Sequence, residues 1–300
     1  MHDSRGTLDS RPHAVVIGSG FGGLAAAVRL GAKGYRVSVF EKLDKPGGRA
    51  YVYEDNGFVF DAGPTVITAP FLFDELWELA GRKRADDVEL APVTPYYRIR
   101  FDDGFVFDYS GDAESMRQQI AALEPADVQG YQRFLEMSES IFKVGFEKLA
   151  HVPFDSWTSM AKIAPQMVRL QSYRTVYGLV QKFIRNDRLR QVLSFHTLLV
   201  GGNPFETTSI YALIAYLERK WGVWFAMGGT AKLVQGLVRL IEDAQGGQVH
   251  LNTGVQQILV EGRKAVGVRL EDGREIRADV VVSNADSATT YKHLVPAEHR

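Results

Sequence analysis

Three glycines at the spacing G-x-G-x-x-G, Gly18, Gly20 and Gly23, stand in "VVIGSGFGGLAAAV" with Gly22 between them, and an acid, Glu41, follows 18 residues after the last. These residue types suit the binding of a dinucleotide. The first glycine permits a tight turn, the second lets a pyrophosphate approach the backbone, and the third lets the next helix pack closely on its strand. A carboxylate at Glu41 can accept the hydroxyls of an adenosine ribose and argues against a 2′-phosphate. Gly48 and Arg49 come next. A guanidinium pairs strongly with phosphate, and glycine lets a backbone lie flat against a ligand. Taken alone, Gly47-Gly48-Arg49 also fits a surface turn with a solvated arginine.

Such groups act only if secondary structure brings them together. Ala14 to Ile17 is an apolar run that predicts a buried strand, and about Phe21 to Lys33 predicts a helix whose N-terminus points at the phosphates. Its unpaired N–H groups and dipole, about +0.5 charge, favour an anion there. Gly34 suits the end of that helix. Arg36 to Phe40 is the second predicted strand, closed by Glu41. Strand, glycine turn, helix, strand and acid in that order form a dinucleotide unit, without deciding between NAD and FAD. Ala50 to Tyr53 and Phe58 to Phe60 then alternate around a Glu54-Asp55-Asn56-Gly57 turn, a hairpin signal that ends in Asp61-Ala62-Gly63-Pro64-Thr65.

At these residues the chain resembles the bacterial phytoene desaturases, FAD-dependent carotenoid oxidoreductases within the wider amine-oxidase-like flavoproteins. The segments "KPGGRAY", "FDAGPTVIT", "SFHTLLVGGNPF", "SIYALI", "LERKWGVWF" and "SNAD" carry the likeness, which runs from about Ala14 to the end. The resemblance implies an α/β fold: a Rossmann-like FAD-binding domain with an inserted α+β substrate domain. It implies FAD as cofactor, with Gly48 and Arg49 along the pyrophosphate, Gly63, Pro64 and Thr65 near the isoalloxazine ring, the Gly228-Gly229 turn close to the flavin, and the backbone near Val255 against adenine. It further implies a phytoene-like carotene as substrate. A hydride leaves an allylic carbon for the flavin, the adjacent carbon loses a proton, and a quinone or oxygen takes the electrons. Another flavin enzyme of the same fold, such as a carotene isomerase or an amine or porphyrinogen oxidase, is the alternative. A flavin-free prenyl-lipid carrier is another, against which the intact glycine, Glu41 and Arg49 set argues. Members of this family are longer and end in a further Gly-rich flavin-contacting segment, so a chain stopping at His299-Arg300 is expected to be a fragment or truncated product.

The expected division is a disordered tail over 1–12, a discontinuous FAD domain over 13–70 and 230–300, and a substrate domain over 71–229. Within the last, a helix is expected from about Phe71 to Gly81, strands "YYRIRF" and "FVFDY" around Asp102-Asp103-Gly104, and a long amphipathic helix from Asp127 to about Ala150. Pro153 to Ile184 carries one acid, Asp155, against Lys162, Arg169, Arg174 and Lys182, with Phe154, Trp157, Tyr173, Tyr177 and Phe183 interleaved. A stretch of this kind suits a membrane interface, and equally a core with a solvated basic face. Arg190 to Thr230 is apolar and aromatic, as the wall of a hydrocarbon tunnel must be. His196 within it is a candidate acid or base, although a lone histidine on an apolar helix is more often structural. No catalytic residue and no metal site are assigned. Val249 to Leu251, Val255 to Glu261, Lys264 to Leu270 and Glu275 to Val282 predict strands, Asp272-Gly273 a tight hairpin, and Asn284 and Asp286 a helix start.

Composition narrows the classes that remain. Across 300 residues, 45% are hydrophobic and 24% charged, the balance of a globular protein of one large or two ordinary domains. The formal net charge of −1 gives no basic footprint for nucleic acid. Cysteine is absent, which removes disulfides, thiolate zinc sites and cysteine nucleophiles together. The polar start has no apolar signal core, and no run reaches the ~18 apolar residues of a spanning helix. The expected location is cytoplasmic, peripherally on the inner face of the cell membrane.

Overall fold

The computed structural model describes residues 10–149 and 157–300. The chain divides into two compact units, one of residues 1–91 and 225–300 and one of residues 92–224.

The first unit is built on β1 (His13–Ile17), α1 (Phe21–Ala32) and β2 (Arg36–Phe40). All five residues of β1 are buried, as befits an interior parallel strand covered on both faces. α1 buries Leu24, Ala27 and Val28, positions three and four apart that share one helical face. A hairpin of β3 (Val52–Asp55) and β4 (Phe58–Asp61) follows, then α2 (Pro70–Leu79), which has proline in its first turn. After the other unit come α3 (Thr230–Arg239), β5 (Gln248–His250), β6 (Val255–Glu261), β7 (Lys264–Leu270), β8 (Glu275–Arg277) and β9 (Val280–Ser283). Four strands make a parallel sheet in the order β9-β1-β2-β5, and β6-β7-β8 make a separate antiparallel sheet. Val15, Ile17 and Phe40 of the first sheet share a core with Ile258, Val268 and Leu270 of the second.

Two expectations change. Glu275 to Val282 is not one strand. It splits into β8, which pairs with β7, and β9, which pairs with β1 in the register Ala14 to Val280 through Ile17 to Ser283. The switch falls at Ala278 and Asp279, where the Asp279 carboxylate accepts from the His13 N–H at 2.8 Å and the Asp279 N–H donates to His13 O at 2.8 Å. No glycine or proline marks the break, so periodicity reads straight through it. The unit boundaries also move from 70 and 230 to 91/92 and 224/225. Residues 71–91 stay with the first unit because α2 packs on α1. Phe21 and Phe73 meet edge to face at 5.6 Å, Arg29 pairs with Glu75 at 3.1 Å, and Trp77 is fully buried.

The second unit is helical around one hairpin, Tyr97–Arg100 with Val106–Tyr109, turned at Gly104. Its core gathers Phe107, Tyr109, Met116, Phe134, Leu179, Leu189 and Val192. The long helix runs as α over Asp127–Phe142 and continues in wider π turns over Lys143–Lys148. The buried Asp127 carboxylate accepts from the N–H groups of Arg185 and Asn186, both at 2.8 Å, tying that helix to the 185–186 turn. Of the basic, aromatic stretch, residues 153–156 lie outside the described residues, as do residues 1–9 of the expected tail. Its described part divides its side chains: Val176, Leu179, Val180 and Ile184 enter the core, while Lys162, Arg169, Tyr173 and Lys182 are exposed.

Candidate functional site

The glycine loop lies between β1 and α1. Gly18 takes φ +89°, open to glycine at little cost, and its N–H donates to Phe40 O at 2.8 Å, which locks the loop to the end of β2. At Gly23 a Cβ would fall 2.1 Å from Gly18 O, so only glycine lets α1 start this close to the strand. A side chain at Gly22 would meet the Asn284 amide at 2.6 Å, and one at Gly20 would meet Asn284 Oδ1 at 3.1 Å. Asn284 follows β9, and its N–H donates to Ile17 O at 2.8 Å. The α1 N-terminus carries no acid in its first turn and no side-chain cap. Its orphan N–H groups and dipole thus remain free for an anion.

Three further segments converge on this loop. Gly20 forms a parallel bridge with Gly47, whose N–H donates to Ser19 O at 3.0 Å. Arg49 follows on the same short turn, exposed and unpaired with any described carboxylate. A Cβ on Gly63 would stand 2.0 Å from Arg49 O, so the 63–65 segment runs directly against that turn. Gly63, Pro64 and Thr65 are all exposed. Pro64 O in turn accepts from the Thr230 hydroxyl at 2.6 Å, which brings in the Gly228-Gly229 turn at the start of α3.

Glu41 is buried at 5% exposure, and it does not wait idle. Its Oε2 accepts from the Ser19 N–H at 2.9 Å and the Ser19 hydroxyl at 2.8 Å, and its Oε1 accepts from the Leu43 N–H at 3.0 Å. Of about four acceptor positions on a carboxylate, roughly one is left, on Oε1. Thr253 N–H donates to Glu41 O at 2.7 Å and Asn252 N–H to Leu43 O at 2.9 Å, so the approach to β6 passes beside the acid with Val255 just beyond. A free helix N-terminus, an unpaired arginine, backbone that tolerates no Cβ, and an acid with residual acceptor capacity together fit an adenine dinucleotide.

His196 belongs to the second unit. At 2% exposure its Nε2 is 3.1 Å from Glu218 Oε2, and Tyr97 donates to Glu218 Oε1 at 2.6 Å. It is packed among Tyr97, Tyr109 and Phe195 as a core histidine. The sequence reading of the site missed Ser19, Asp61, Thr230 and the packing role of Asn284. Asn284 had one signal, its place at the end of an apolar run, where strands of a parallel sheet present ligand-facing residues.

Fold and site define a dinucleotide-binding α/β protein with a helical insertion. The chain belongs to the family described as flavin containing amine oxidoreductase, whose model matches residues 21–299. It is 53% identical over 280 residues to a lycopene-forming phytoene desaturase of Pantoea ananas, covering 93% of this chain and 57% of that protein. It is 44% identical over 283 residues to a neurosporene-forming phytoene desaturase of Rhodobacter capsulatus, covering 94% and 54%. The chain thus spans about half the length of the curated relatives it matches. Among solved structures it is similar to the PF1083 protein of Pyrococcus furiosus, with a TM-score of 0.63, 20% identity, and coverage of 96% and 62%. It is also similar to a putrescine oxidase, with a TM-score of 0.61, 16% identity, and coverage of 96% and 62%. At these identities the structural likeness speaks for the fold alone.

Proposed function

We propose that the chain belongs to an FAD-dependent desaturase of phytoene-like carotenes. The observation that carries this is the single connected surface formed by the glycine loop, Glu41, Gly48-Arg49 and Gly63-Pro64-Thr65 on a chain 53% identical to a phytoene desaturase. In this reading the α1 N-terminus and Arg49 receive the pyrophosphate, Glu41 receives a ribose hydroxyl, and the backbone near Val255 faces adenine. Gly63, Pro64 and Thr65 with the Gly228-Gly229 turn lie beside the flavin ring. FAD, when bound, supplies a two-electron acceptor for an allylic C–H bond. The protein's part is to hold that bond in place and keep water out, since a hydrocarbon offers no hydrogen bond to orient it. A quinone or oxygen serves as the final acceptor.

The same reading puts the protein on the inner face of the cell membrane. No helix among the described residues is long and apolar enough to cross one. The second unit does expose Leu198, Leu199, Val200 and Phe205. Phe205 packs on Tyr177 at 4.5 Å, in the strip that also carries exposed Tyr173 and, beside it, Arg174. Apolar side chains flanked by cations support one-sided contact with an anionic lipid surface. The test is the purified full-length protein given phytoene in liposomes with a quinone. A flavin spectrum together with new visible polyene bands is the expected result. A protein that carries flavin but leaves phytoene unchanged would remove the substrate assignment.

A further inference from the structure

Two helices of the first unit begin at the proposed cofactor surface, and the chain treats their ends differently. α1 starts at Gly20 with nothing capping it. α3 also starts at a glycine, Gly229, and has no cap of its own. A carboxylate reaches it from the end of β4: Asp61 Oδ2 accepts from the Thr230 N–H at 3.4 Å, and a Cβ on Gly229 would come within 2.9 Å of that oxygen. Asp61 Oδ1 is buried and has no hydrogen-bond partner among the described residues. The Thr230 side chain completes the link, donating to Pro64 O at 2.6 Å from a residue only 6% exposed. Gly228 and Gly229 both take positive φ, +84° and +83°, and the turn closes on the Gly229 N–H donating to Ala226 O at 2.9 Å.

We propose that Asp61 and Thr230 are positioning residues of the cofactor site. Asp61 anchors the α3 N-terminus by charge, Thr230 ties it to Pro64, and together they hold the Gly228-Gly229 turn against Gly63-Pro64-Thr65. The inference rests on the FAD reading above. A carboxylate is the right group for the task, since a helix N-terminus carries about half a positive charge. At φ +83° residue 229 cannot take the serine or aspartate usual at an N-cap without strain, so a capping oxygen has to come from another element. Glycine there, with the acid supplied from β4, couples two segments that are far apart in the chain.

The test titrates the full-chain apoprotein with FAD and compares Asp61→Asn, Thr230→Val and Thr230→Ser with the parent. Asp61→Asn and Thr230→Val are expected to weaken FAD binding by about three- to thirtyfold. At saturating FAD both should change the visible circular dichroism of the bound flavin, which reports how the ring is held. Thr230→Ser keeps the hydroxyl and should restore both readouts. Parental affinity and an unchanged flavin spectrum in Asp61→Asn and Thr230→Val would overturn the proposal. If Asp61→Asn does not fold, the Val and Ser pair at Thr230 decides it alone. A parent that takes up no FAD would remove the cofactor reading itself, and this inference with it.

Discussion

Glu41→Gln is the most informative single change, because it removes charge and leaves shape. The carboxylate accepts three hydrogen bonds, two from Ser19 and one from the Leu43 N–H, in a residue 5% exposed. Glutamine has one oxygen. In its better orientation that oxygen keeps the Ser19 pair, and the NH₂ is turned on the Leu43 N–H, donor facing donor. One charged bond is lost, about 1.5–3 kcal/mol, and the two survivors weaken by about 1 kcal/mol each as the acceptor becomes neutral. Relief from burying a charge offsets about 1–2 kcal/mol. The net expectation is a loss of about 1.5–4 kcal/mol in urea unfolding without FAD, at an unchanged m-value. Ser19→Ala, which removes a single hydroxyl donor, should lose only about 1–2 kcal/mol. With FAD present, Glu41→Gln should weaken binding by a further 1–3 kcal/mol, roughly 5- to 150-fold. A loss below about 0.5 kcal/mol, within the range of neutral surface changes, would refute the assignment of Glu41 as the anchor of the loop.

Four other outcomes follow from the same geometry. Gly23→Ala puts a methyl 2.1 Å from Gly18 O, so backbone must shift; a loss of about 1–3 kcal/mol together with lost FAD retention is expected, measured by thermal melting and bound flavin. Burial holds the His13 imidazole below its ordinary pKa, countered in part by the bond to Arg277 O, so below about pH 6.5 the unfolded chain takes up a proton that the folded chain refuses. Stability from this site is therefore present above that pH and lost as pH falls, and His13→Asn should flatten the slope of unfolding free energy between neutral and mildly acidic buffer. Burial pushes Tyr109 well above its ordinary pKa and Tyr131 up to about 12, so stability is full below about pH 10 and lost as pH rises beyond it; above the gradual titration of exposed tyrosines such as Tyr53, Tyr173 and Tyr291, tyrosinate absorbance should show a further cooperative step that coincides with loss of near-ultraviolet dichroism, and absence of that step would count against the burial. Replacing Lys162, Arg169, Arg174 and Lys182 with glutamine should reduce pelleting with anionic liposomes in low salt, each cation contributing on the order of 1 kcal/mol near the surface, and unchanged pelleting would make the patch a solvated face only.

What the sequence determined by itself is local. The glycine loop, the first two strands, the helix between them and the three predicted hairpins are readable because strand and helix periods and turn residues act over a few positions. β2 falls on Arg36–Phe40, and the Asp272-Gly273 turn joins β7 to β8. Tertiary structure decided whatever depends on which distant segments meet. Only the parallel pairing of β9 with β1 carries Asn284 onto the glycines, and only the crossing of the Asp61 and Thr230 segments ties β4 to α3. The division of Glu275 to Ser283 between two sheets has the same origin, since an alternating apolar strand looks alike whichever partner it finds. In the basic stretch, composition left core and surface open: Val176 and Leu179 go to the core and Tyr173 to the surface because of what packs above them. Burial of one face is a property of the partner as much as of the strand or helix, and the partner lies too far along the chain for any local pattern to name.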